Sequence, residues 1–287
     1  MSRPVAWLAG VLVALLSSTP LLAAAPPDSL AEKRLAEVRA SLDATFRTAH
    51  DGVFIVAGNL PRATFDRIRR RTIRLCAERM WQAYFTTKPD YPIVIYLFAD
   101  DRTYRAGAKK LFGDTDVSHF GYYRPWDHTL VMNIGTGTGT LVHEMTHALM
   151  KPDFPDAPTW FDEGLASLHE QCSVGRDTII GHENWRLPAL QKAIRATQAK
   201  PLDKLLAMPA AEFRGRDVGL HYAQARYVVL HLQRQGLLRR FYRSFRDSHK
   251  TDPTGSKTLA RVTGQSLGEF EKAWTPWVLT LRYPPQR

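Results

Sequence analysis

Two histidines four residues apart, with a glutamate beside the first, form the run His143-Glu144-Met145-Thr146-His147. On a helix, residues at that spacing lie one above the other, so both imidazoles reach a single ion. Zinc is the ion such a pair suits. Held by three protein ligands, it keeps a fourth position for water, lowers the pKa of that water to about 7 and polarises a carbonyl under attack. Glu144 is placed to take the proton, and the combination hydrolyses amide bonds.

The elements that would position these groups are legible around them. Leu141, Val142, Met145, Ala148 and Leu149 form an apolar stripe at helical spacing, which would anchor the helix on a core and leave the histidine face to a cleft. Pro152, Pro155 and Pro158 end that helix. Thr159 then reads as an N-cap with Asp162 at its N3 position, and Glu163 falls in the first turns of a second helix, where it supplies a third ligand. Asp162 and Glu170 are candidates to accept the outer N–H of the ligating histidines, with backbone carbonyls as the alternative. The oxyanion that develops during hydrolysis needs a donor opposite the base. His221 and Tyr222, opening a later helix, are the candidates; for Tyr222 the competing reading is a tyrosine packed in a helix interface.

His143-Glu144-Met145-Thr146-His147 followed by Trp160-Phe161-Asp162-Glu163-Gly164-Leu165-Ala166 resembles the gluzincin zinc metallopeptidases, the group that contains thermolysin and the aminopeptidase N type. Within it the chain most resembles the bacterial peptidase MA-like proteins. The resemblance spans residues 51–277, although only these two blocks are highly specific. It implies an α+β fold in which a small mixed sheet precedes the metal helix, one zinc bound by His143, His147 and Glu163, and Glu144 as general base. It also implies a preference for Tyr222 over His221 as oxyanion donor. In gluzincins an edge strand borders the substrate cleft; here the strand expected over 129–134 would take that part and bind an extended peptide by strand addition. The interval from His147 to Glu163 is shorter than in the aminopeptidase type, which sets the chain apart from that subfamily.

Residues 1–25 read as a secretory signal peptide: Arg3 gives the positive end, 5–16 are mostly apolar, and Ala23-Ala24-Ala25 fits a cleavage site of small residues. An uncleaved N-terminal anchor is the alternative, although the apolar run is short for a membrane span. Export to the periplasm or outside the cell follows, with no stable membrane span after cleavage. The only two cysteines, Cys76 and Cys172, would be free to pair in an oxidising compartment, the other reading being two buried thiols. Net charge is +11, with basic clusters at 67–74 and 238–246. In an exported protein these read as solvated helix faces and not as nucleic-acid sites, with weak association with an anionic cell envelope as the residual partner.

The rest of the chain is long enough to bury a full core. The expected organisation is N-terminal helices, sheet and zinc-binding core over 26–172, then a helical part of the same peptidase domain over 173–287. Helices are expected over 28–48, 62–85, 103–112, 186–198, 202–207, 219–235, 237–247 and 267–281, and strands over 52–57, 93–98, 120–124 and 129–134. The glycine-rich run at 135–139 is a bend into the metal helix, and 249–256 is the most mobile loop. His50, His119, His128, His169, His182, His231 and His249 lack ligand spacing. Together these readings predict an exported zinc metallopeptidase acting on peptide or protein substrates. The rival is a catalytically silent zinc-binding or envelope-associated scaffold.

Overall fold

The computed structural model describes residues 28–283, so the signal peptide expected over 1–25 lies outside the described residues. At its centre is a five-stranded mixed sheet of order β1-β2-β3-β5-β4, made of β1 (Arg47–Asp51), β2 (Phe54–Gly58), β3 (Ile93–Phe98), β4 (Gly121–Arg124) and β5 (Thr129–Asn133). The central strands β2, β3 and β5 run parallel, while β1 and β4 are antiparallel edges. β2, β3 and β5 are buried along their whole length because both faces of the sheet are covered. One face packs through Ile55, Tyr96, Phe98 and Val131 on Val38 of α1 (Asp28–Ala40) and Tyr104 of α4 (Asp101–Phe112).

The other face, through Val56, Ile95, Leu97, Leu130 and Met132, looks onto the main core. That core is shared by α2 (Arg62–Arg67), a π-helical turn (Ile68–Arg74), α3 (Leu75–Ala83), α5 (Gly139–Met150), which lies directly against β4 and β5, and α6 (Thr159–His169), which packs on α5. A short hairpin of β6 (Cys172–Val174) and β7 (Ile179–Gly181) follows. The helical remainder comprises α7 (Leu187–Arg195), α8 (Leu202–Leu206), α9 (Ala210–Phe213), α10 (Val218–Arg234), α11 (Leu238–Ser248), α12 (Ser256–Thr263) and α13 (Leu267–Thr280). Its Leu230, Phe241, Trp274 and Val278 belong to the same core as the sheet, so the C-terminal helices and the metal-site helices share one interior. The architecture is mixed α+β, and among the described residues no helix is long and apolar enough to cross a membrane.

Several expectations are corrected. The helix foreseen over 28–48 stops at Ala40, and its last residues enter β1, a polar strand held by pairing with β2 about Gly52 at φ 64°. The helix foreseen over 62–85 runs without a break to Ala83 but is wound as a π-helix over Ile68–Arg74. The segment 249–256, expected to be the most mobile, is pinned: buried Asp252 accepts from the backbone N–H of Thr258 at 2.7 Å, and the Thr254 carbonyl accepts from Trp160 Nε1 at 3.0 Å.

The basic clusters are also not purely solvated faces. Arg69 pairs with Asp51 at 2.7 Å. Arg246 turns inward to Asp153, a buried carboxylate that also accepts from the backbone N–H of Thr86 and Thr87 at 2.8 and 2.7 Å and from Tyr242 Oη at 2.9 Å. Asp153 lies in the loop joining α5 to α6.

A candidate metal centre in an open cleft

Burial of Leu141, Val142, Met145, Ala148 and Leu149 fixes the rotation of α5. His143 and His147 thereby face a cleft of about 400 Å³ that is also lined by Glu144, Asp162, Glu163, Arg214, Tyr222 and Tyr123. Three ligand-type atoms converge there. His143 Nε2 and His147 Nε2 are 3.1 Å apart, and Glu163 Oε2 lies 3.5 Å from the first and 3.3 Å from the second. Nitrogen and oxygen ligands of a tetrahedral zinc, each about 2.0–2.1 Å from the ion, are about 3.3–3.4 Å from one another. The triangle therefore has nearly the edges of one face of that tetrahedron. Glu163 Oε2 is buried and makes no hydrogen bond, so two ring nitrogens and an unsatisfied carboxylate oxygen point at one another, as a cation held between them requires.

The surrounding contacts orient these ligands. Pro158, and not Thr159, occupies the N-cap of α6, and no side chain caps it. Of the two parts expected of Asp162, at the cap and beside a ligating histidine, it takes the second and accepts from His147 Nδ1 at 2.7 Å. Because a carboxylate can only accept, this fixes the proton on Nδ1 and turns Nε2 toward the ligand position. His143 Nδ1 lies 3.2 Å from Glu170 Oε1, close enough for an ion pair although the angle falls short of a hydrogen bond. Glu170 is in turn gripped by both arms of Arg186, at 2.8 and 3.1 Å. On the far side of Glu163, Arg214 Nη2 donates to Oε1 at 2.9 Å and leaves Oε2 to the histidines.

These ion pairs favour the charged forms. Burial alone would lower the pKa of His143, but Glu163 and Glu170 carry it up to about 9. His147 is likewise held well above its ordinary range, Asp162 outweighing burial, and Glu163 is held far below the usual carboxylate range by the two histidines despite its burial. A bound cation would displace the imidazole protons. Glu144 differs: burial pushes its carboxyl up, and it makes no hydrogen bond among the described residues. A carboxylate so placed is a better proton acceptor at neutral pH.

Of the two oxyanion-donor candidates, only one reaches the cleft. The Tyr222 ring lies nearly parallel to His143, with centroids 6.4 Å apart, and burial together with Glu163 keeps its phenol protonated. His221, one residue earlier on α10, is buried on another side of the helix, where its Nδ1 contacts the Phe213 carbonyl at 2.9 Å; it does not line the cleft. Gly164 lets α10 come this close: a Cβ there would sit 3.0 Å from both the Ala225 carbonyl oxygen and Val229 Cγ2. His169 joins α6 to α5 through Thr146 Oγ1 at 3.0 Å, and burial lowers its pKa to about 3, so it is a neutral structural contact.

Three residues of the site escaped the sequence reading. Arg214 and Arg186 reach it from loops 51 and 16 residues beyond their carboxylate partners, and nothing local marks them. Tyr123 belongs to β4, which is the edge strand beside the cleft; the strand assigned that part, β5, lies inside the sheet between β3 and β4. No family model and no curated protein matches the chain, so this geometry is what bears on its chemistry.

Proposed function

We propose that the chain is an exported, zinc-dependent metallopeptidase of the gluzincin kind, acting in the periplasm or outside the cell on peptide or protein substrates. The observation that carries this reading is the His143, His147 and Glu163 triangle opening onto a cleft whose wall includes the unpaired carboxylate of Glu144. Zinc, when bound by these three residues, supplies Lewis-acid polarisation of a carbonyl and acidifies water. Glu144 takes a proton from the attacking water and returns it to the leaving amine. Tyr222 donates a hydrogen bond to the developing oxyanion. Asp162 and Glu170 hold the imidazoles, and Arg214 holds the outer oxygen of Glu163. The outer edge of β4, which pairs with no further strand among the described residues, has Tyr123 at the cleft and suits an extended substrate added as a further strand.

A structural zinc site closes with four protein ligands and needs no base. Three converging ligands beside a free Glu144 favour catalysis over a scaffold role. The test is mass-spectrometric cleavage of a diverse peptide library by the zinc-loaded protein beside Glu144→Gln. Cleavage by the wild type, reduced roughly a thousandfold in the variant with zinc retained, is the expected result. Equal cleavage by both, or no cleavage by a wild type carrying one zinc per chain, would overturn the proposal.

A further inference from the structure

Cys76 on α3 and Cys172 at the start of β6 take no part in the cleft, yet the fold brings them together from positions far apart in the chain. The β6–β7 hairpin packs on α3, and Arg79 of that helix donates to the Gly175 carbonyl in the hairpin turn at 3.2 Å. The helix and the strand that carry the two thiols are thus in contact, and each thiol is the largest influence on the other's pKa. Both are free; Cys76 is buried and Cys172 only partly so. We infer that Cys76 and Cys172 are a disulfide-forming pair, a covalent site that staples α3 to the strand leaving the metal-site helices. The inference stands whether or not the chain is a peptidase.

The chemistry needs a disulfide as oxidant, and oxidised glutathione represents the class. Cys172 is the more accessible thiol, and although contact with Cys76 raises its pKa, its thiolate fraction attacks one glutathione sulfur and expels the other as glutathione thiolate. Cys76 then attacks Sγ of Cys172, the new intramolecular S–S bond forms, and the second glutathione leaves; the two thiol protons pass to solvent. Glu170, two residues before Cys172, is the residue beside His143, so the staple also restrains the outer support of the metal site.

The full chain, purified reduced and equilibrated with oxidised glutathione, is tested by intact mass after alkylation, peptide mapping and thermal melting. The expected product is a monomer lighter by two hydrogens, with no alkylated cysteine, one peptide joining Cys76 to Cys172, and a Tm higher by about 10 °C, as closing so long a loop should give. Cys76→Ser should stop at glutathionylated Cys172. Two alkylatable thiols after oxidation, a wild-type adduct that never closes, a bond between two chains, or a disulfide without a rise in Tm would overturn the inference.

Discussion

Asp162→Asn tests the metal centre without requiring a substrate. Among the described residues the carboxylate's only side-chain hydrogen bond is to His147 Nδ1 at 2.7 Å, so the variant keeps the shape of the side chain and removes its charge. A hydrogen bond to a charged partner is worth about 1.5–3 kcal/mol and a neutral one about 0.5–1.5, so the loss is about 1.5 kcal/mol, or roughly tenfold in metal affinity. Competition titration with a chromophoric zinc chelator at neutral pH reads this directly, with circular dichroism to check the fold. Glu163→Gln, which alters a ligand itself, should weaken zinc much further. If Asp162→Asn binds zinc as tightly as the wild type while Glu163→Gln does not, the imidazole is oriented by something other than Asp162. Unchanged affinity in both would remove the triangle as a metal site.

Three further outcomes are expected. Tyr222→Phe should retain zinc and lose roughly a hundredfold or more in turnover, checked by single-peptide kinetics beside metal analysis. Gly164→Ala should lower stability by about 1–3 kcal/mol and also slow turnover, because the added methyl forces apart α6 and the helix that carries Tyr222; denaturant melts and kinetics on one preparation would show whether both move. Asp153→Asn should cost about 3–5 kcal/mol near neutral pH by breaking a buried ion pair. Burial raises the Asp153 carboxyl, but hydrogen bonds from Thr87, Thr86 and Arg246 bring it below its ordinary value. Its contribution is therefore complete above the unfolded pKa of about 3.9 and is lost as pH falls through the lower folded value. Stability against pH should show the gap between variant and wild type closing in acid; a constant gap would contradict the ion-pair account.

What could be read from the chain was set by how local each signal is. The β3 run and the apolar stripe of α5 are self-contained patterns, and both appear where periodicity puts them. His143, His147 and Glu163 were legible because two short helices bring them together across one proline-bounded loop. β1 was missed because its residues, Arg47-Thr48-Ala49-His50-Asp51, carry no apolar alternation and become a strand only through pairing with β2. The Thr159 cap was a sound local reading that a tertiary contact overrode: Asp162 gains more from an imidazole than from the helix start. His221 and Tyr222 were indistinguishable in sequence, since adjacent helical residues differ only in which neighbour each one faces.

The loop between α5 and α6 sets the angle at which two ligands on one helix meet a third on the next, and Asp153 clamps that loop to residues 67 positions earlier and 93 positions later. The five-residue motif is thus a poor unit of transfer. Grafted onto another scaffold with its glutamate, it would carry the ligands without the alignment, and the smallest heritable piece of this site runs from the turn after α3 to the end of α11.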